Sequence, residues 1–204
     1  MYGIHHGDRF NGHKIMVSPD HEPLFDIAIL NAIESLLSLM LTKHSQVYMS
    51  TFVLKFPEHR VKEFPCDNNS LISLFLDALL ADFRRSGCDT KYLWVREQHE
   101  NSYVHFHMML LLNGNVIQNG HAVLAKVAQH WGHTLGEANG KGYVHHCANG
   151  YHVSPYGGIK IRRNDPQIEQ EFAKCFQWAS YLAKCNGKEN TPAHVNRFRH
   201  SQLR

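Results

Sequence analysis

His105-Phe106-His107 sets two imidazoles two residues apart, and Glu97 precedes the first of them by eight. Imidazole nitrogens and carboxylate oxygens are ligands for divalent metal ions. In an extended strand, residues two apart share a face, so His105 and His107 point the same way and Phe106 points into the opposite layer. A hairpin turn centred near residue 101 puts Glu97 across from His105, where cross-strand Cβ atoms lie roughly 5 Å apart. Two imidazoles and one carboxylate converging there leave positions open for water and a phosphate oxygen, the layout of a catalytic rather than a closed structural site. Gln98 is one residue out of register and reaches the same point only through a bulge, so it ranks second as third ligand.

The triplet alone is weak evidence. The chain has seventeen histidines, and on the order of one His-x-His arises by chance at that frequency. The bland alternative is a pair of half-buried sheet histidines. The setting favours ligation: the strand continues Met108-Met109-Leu110-Leu111-Leu112, where unpaired polar groups cost ~1–3 kcal/mol each.

Tyr181 and Lys184 form the second constellation. On a helix they are neighbours, and Gln177 and Lys188 extend the same edge. A phenol ionises at about pH 10, and a metal or cation must offset that value before phenolate serves as a nucleophile. The lysine can also hold a phosphate or assist a leaving group. Taken alone, Tyr-x-x-Lys is more often a surface aromatic beside a solvated lysine. Other histidines offer a third option: His145, His146 and His152 on a later hairpin as zinc ligands, phosphate contacts or plain surface. His130 and His133, three apart on a helix, read as solvent-facing rather than as a metal pair.

These residues need elements to position them. Apolar residues from Leu24 to Met40 recur at helical spacing after Pro23, which suits a first helical turn. Gln46 to Phe56 reads as a strand and Asn69 to Ser86 as a second helix stopped at Gly87. Lys91 to Gln98 and Tyr103 to Leu112 make a hairpin. A helix over His121 to Leu135 follows, then a second hairpin with Gly142 to Cys147 and Tyr151 to Pro155 around Asn149-Gly150. The last helix runs from Pro166 to Cys185, stopped at Gly187. This order reads as an antiparallel sheet with helices on one face, an α+β arrangement. Residues 1–20 read as an accessory arm and 187–204 as a basic, unperiodic tail on a single domain spanning 1–204.

Bulk properties set bounds. The 204 residues suffice for one sizeable core. Net charge is only +3, but residues 158–204 carry nine Lys or Arg against four Asp or Glu, which suits a polyanionic partner. Five scattered cysteines without Cys-x-x-Cys spacing read as reduced thiols in a cytoplasm. The most apolar stretch, residues 27–41, is too short and polar to span a bilayer.

Glu97, then His105-Phe106-His107 on a strand, then Tyr181-Leu182-Ala183-Lys184 on a helix resembles the HUH endonuclease superfamily. The stretches Leu93-Trp94-Val95-Arg96-Glu97-Gln98, His105 to Asn113 and Ser180 to Lys184 resemble replication initiators of filamentous phages (inoviruses) and related prophage-encoded proteins. The likeness covers about Val47 to Lys184. It implies a central antiparallel sheet of RNA-recognition-motif type with helices packed on its faces. It makes Val47 to Phe56 a central strand without catalytic side chains and matches His105 and His107 to the metal-binding histidines. Glu97 falls at the third-ligand position, Tyr181 at the nucleophile of single-tyrosine members and Lys184 at its accompanying lysine. The sequence departs from two-tyrosine members, with Gln177, Trp178 and Cys185 nearby, and the third histidine of relaxases is not evident. It contains no Gly-x-x-x-x-Gly-Lys helicase motif.

The resemblance implies a replication initiator (Rep) endonuclease that nicks single-stranded DNA at an origin or hairpin by transesterification. With Mg2+ or Mn2+ it would form a 5′-phosphotyrosine intermediate and free a 3′-hydroxyl for rolling-circle replication, and the linkage would allow religation. Implied partners are single-stranded DNA and a host helicase and polymerase in the cytoplasm of a bacterial cell, with no membrane. Lys188, Arg197 and Arg199 are expected to contact DNA. The alternatives are an HUH transposase or mobilisation relaxase, and a non-catalytic nucleic-acid-binding regulator, which would bind without metal.

Overall fold

In the computed structural model, residues 3–17, 22–64, 67–98, 103–117, 119–147 and 158–204 are described. Asp26 fixes where the first helix begins. Its carboxylate accepts hydrogen bonds from the amides of Ala28 (2.8 Å) and Ile29 (3.3 Å), satisfying donors that a helix start leaves open. Helix α1 therefore spans Ile27–Lys43, not a stretch beginning at Pro23. Strand β1 (Ile4–His6) pairs antiparallel with β4 (Leu24–Asp26), and β2 (Arg9–Phe10) pairs with β3 (His13–Lys14).

The main sheet contains β5 (Gln46–Leu54), β6 (Thr90–Glu97), β7 (His105–Asn113), β8 (Val144–His146), β9 (Ile159–Arg162) and β10 (Phe198–His200). Its order is β10-β6-β7-β5-β8, all antiparallel, and β9 lies beside the first half of β5. The remaining helices are α2 (Ser70–Arg85), α3 (Gly120–Leu135) and α4 (Ile168–Ser180).

The sheet is covered on both faces, not one. Val47, Met49, Leu93, Val95, Met109 and Leu111 pack with α1 and α4. Tyr48, Phe52, Trp94, Phe106, Met108 and Leu110 pack with α2 and α3. The unbroken apolar run of β7 requires this, because a strand with one wet face alternates. Each fully buried Leu, Ile, Met or Phe contributes about 1.5–3 kcal/mol. Among the described residues no helix is long and apolar enough to cross a membrane.

Both chain ends differ from expectation. Phe10 and Ile15 are buried in the α1/α4 core, and the Met16 amide donates to Ser180 Oγ at 2.8 Å. The C-terminal stretch supplies β10, paired with Leu93–Val95 of β6. Its flanks add bonds from Arg96 N to Arg197 O (2.8 Å) and from Ser201 N to Tyr92 O (2.9 Å). A three-residue edge strand has too little length to show a period in sequence. Of the second expected hairpin, the first strand is β8, paired with β5; residues 149–155, with its turn and second strand, lie outside the described residues. Gly132 allows the chain after α3 to fold back towards β8, since a Cβ there would lie 2.6 Å from the Asn139 backbone.

Candidate metal and nucleophile site

The β6–β7 register sets Glu97 opposite His105 and Val95 opposite His107. The three expected ligand side chains therefore share the face that carries α4. Glu97 Oε2 lies 3.1 Å from His107 Nε2 and 3.8 Å from His105 Nε2. The ligand atoms of all three fall within 4.8 Å of one another. Tyr103 O lies 3.2 Å from His105 Nδ1, which orients the ring with Nε2 towards the cluster. Glu97 Oε2 is buried facing both imidazoles and the Lys184 amine, and His107 Nδ1 is buried without a hydrogen-bond partner among the described residues. Two nitrogens and one oxygen converging on one point fit a divalent cation.

Gln98 lies one residue beyond the paired register that places Glu97 against His105. The register runs without a bulge to Glu97, so the next side chain starts on the other face. Its backbone is also held: the Gln98 amide donates to Gly187 O, and Gln98 O accepts from Asn190 Nδ2, both at 2.8 Å.

Tyr181 opens a 3-10 turn, Tyr181–Ala183, that extends α4. Several contacts fix its position. Trp178 Nε1 donates to Thr51 Oγ1 on β5 at 2.5 Å. After Lys184 the backbone turns extended, and the Cys185 amide donates to Leu24 O at 2.9 Å. The Tyr181 ring sits 5.7 Å from that of His107, centroid to centroid. Lys184 Nζ lies 2.7 Å from Tyr181 Oη and 3.6 Å from Glu97 Oε2. One amine thus bridges the phenol and the cluster carboxylate.

Lys188 departs from its expected place on DNA. It is 4% exposed, and its Nζ lies 2.8 Å from Glu97 Oε1 and donates to the Lys184 carbonyl. Gly187, at φ +83°, makes the turn that folds it inward. Burial pulls the Lys188 ammonium below its ordinary pKa, against the Glu97 charge and hydrogen bond. For Glu97, burial pushes upward. The His107 hydrogen bond and the charges of Lys188, His107 and Lys184 overcome it, holding the carboxyl far below its usual range.

Residues 5–201 match the sequence profile of the YagK/YfjJ C-terminal domain. The chain belongs to this family. No curated protein matches this YagK/YfjJ domain. One solved structure with similarity to it is the N-terminal nuclease domain of minute virus of mice non-structural protein 1. That domain coordinates Zn2+ in its active-site pocket and recognises DNA at the origin of replication. Identity is 12% over 88% of this chain and 74% of that one, with a TM-score of 0.30, a level at which the likeness carries no inference.

Other expected residues of the YagK/YfjJ domain fall away from the cluster. Arg197 pairs with Asp26, the cap of α1. Arg199 is exposed on the edge strand β10. His130 is drawn into a contact between helices, its Nε2 3.0 Å from Asp82 Oδ2, which Lys126 Nζ also meets at 2.7 Å. His145 and His146 sit on β8 with opposite orientations, and His152 lies outside the described residues.

Proposed function

We propose that this domain is a metal-dependent, HUH-type nickase that cleaves single-stranded DNA through Tyr181. In this reading it is a rolling-circle replication initiator of the kind found in inoviruses and prophages. The observation that carries it is Lys184 Nζ, within 2.7 Å of Tyr181 Oη and 3.6 Å of Glu97 in a carboxylate–diimidazole cluster. A nucleophile, a cation beside it and a metal-ligand set meet at one point on the sheet.

Tyr181 Oη attacks the scissile phosphorus. The Oη–P bond forms as the P–O3′ bond breaks, leaving a 5′-phosphotyrosine and a 3′-hydroxyl. The phenol proton is lost to solvent, and the departing 3′-oxygen takes one up. Lys184 at 2.7 Å stabilises phenolate and then the charge on the phosphate. Glu97, His105 and His107 would hold Mg2+ or Mn2+, which when bound supplies Lewis-acid polarisation of the phosphate. Because the phosphotyrosine is itself an ester, the 3′-hydroxyl can attack it in reverse and reseal the strand.

The test is cleavage of single-stranded fragments from the DNA flanking the protein's own gene, with Mn2+ or with EDTA. Wild type cuts with Mn2+ only, and His105→Ala/His107→Ala does not cut. Equal cutting by the double variant contradicts the site.

A further inference from the structure

Val53 lies between two histidines in one cross-strand row, His107 on β7 and His145 on β8. Two strand spacings, about 10 Å, separate the backbones of the pair. Cross-strand partners share a face, so His145 stands on the side that carries Glu97 and Tyr181, and His146 starts on the other. Lys55, two residues after Val53, continues that side past the end of β5.

Between this row and the end of α4 runs a cleft of about 320 Å3, whose walls include both His107 and Tyr181. Val53, Leu182 and Trp178 give it apolar sides. The indole is held in place by its bond to Thr51. Cys147 adds a neutral wall, since burial pushes its thiol up to about 11. Lys55 and His145 also line the cleft, and both residues are exposed. Neither side chain has a hydrogen bond or ion pair among the described residues.

This combination has a definite chemical preference. Flat apolar walls suit a heteroaromatic ring, and an unpaired ammonium beside an imidazole suits an anion. The volume is at the low end of small-molecule sites, enough for one nucleotide and too small for a duplex. We propose that the cleft is the subsite for the nucleotide adjoining the scissile phosphate. Its base lies among Val53, Leu182 and Trp178, and its phosphate meets Lys55 and His145. This deepens the nickase reading and rests on it for the scissile phosphate alone.

The experiment measures binding, not cleavage. Tyr181→Phe protein in EDTA is titrated with a labelled eight-nucleotide oligothymidylate, followed by anisotropy and by tryptophan fluorescence. Lys55→Gln and His145→Gln alter exposed positions and should leave the fold intact. Together they are expected to weaken binding roughly tenfold, and Lys55→Gln to lower the slope of log affinity against log salt by about 0.7. Quenching by the oligonucleotide is expected to disappear in Trp178→Phe. Unchanged affinity, slope and quenching in these variants overturn the subsite, as does failure of the parent protein to bind the oligonucleotide. If the variants weaken binding but wild type never forms a tyrosyl adduct, the subsite stands and the nickase reading falls.

Discussion

Lys188 Nζ lies 2.8 Å from Glu97 Oε1, with both side chains almost wholly shut off from solvent. The residue that most resembles a DNA-contacting lysine in sequence is thus a buried counter-ion of the central carboxylate. This contact also joins the end of the Tyr181 helix to the strand that carries Glu97.

Breaking that pair from one side should be costly. Lys188→Met leaves a buried carboxylate without its amine, and a loss of about 3–5 kcal/mol is expected in urea denaturation. Lys188→Met/Glu97→Leu removes both charges and should recover more than half of it. A single variant as stable as wild type contradicts the pairing.

In the proposed reaction Lys184 acts on the Tyr181 phenol, so its loss should fall on chemistry. In Lys184→Met the rate of strand cleavage should drop by about 100- to 1000-fold. Single-stranded DNA binding should stay within about threefold of wild type. A variant that cleaves normally, or fails only because it no longer binds, removes Lys184 from the reaction.

In the proposed reaction, charge balance would couple metal and DNA. One carboxylate in the cluster faces two amines, Lys184 and Lys188. A divalent ion added beside them meets repulsion of about 3 kcal/mol per unit-charge pair at roughly 5 Å and an effective dielectric of about 20. A phosphate offsets part of this. In Tyr181→Phe protein, single-stranded DNA should tighten Mn2+ binding by roughly tenfold in calorimetry, and Mn2+ should tighten DNA binding by the same factor. Independent affinities contradict the coupling.

Asp82 joins α2 to α3 through His130 and Lys126, which hold its carboxyl at about 2, below the ordinary carboxylate range. A depressed carboxylate stabilises the fold fully above its unfolded pKa. That share is lost as pH falls from the unfolded value through the folded one. Asp82→Asn should therefore destabilise clearly at pH 7 and progressively less between pH 4 and about 2, measured by urea denaturation. A difference constant with pH removes the ion-pair account.

The clustering of His105, His107 and Glu97 was legible because period two and a short hairpin determine it locally, through strand alternation and one turn. Tyr181 and Lys184 were legible as helix neighbours, although what brings them to the sheet, Trp178 on Thr51 and Cys185 on Leu24, spans over a hundred residues. Lys188 was misread because its direction depends on the Gly187 turn and on tertiary contacts, which spacing cannot express. The start of α1 was misplaced because apolar periodicity ran through Leu24, while the Asp26 cap decides the boundary. Strands β9 and β10 escaped notice because four and three residues show no period.

The most direct test of the account is the covalent bond. Wild-type protein is mixed with Mn2+ and single-stranded fragments from the DNA flanking its own gene, then digested with nuclease and protease and examined by mass spectrometry. The account predicts a nucleotide-bearing peptide linked through Tyr181, and none from Tyr181→Phe. An adduct of equal yield in Tyr181→Phe, or one mapped to another residue in wild type, contradicts it.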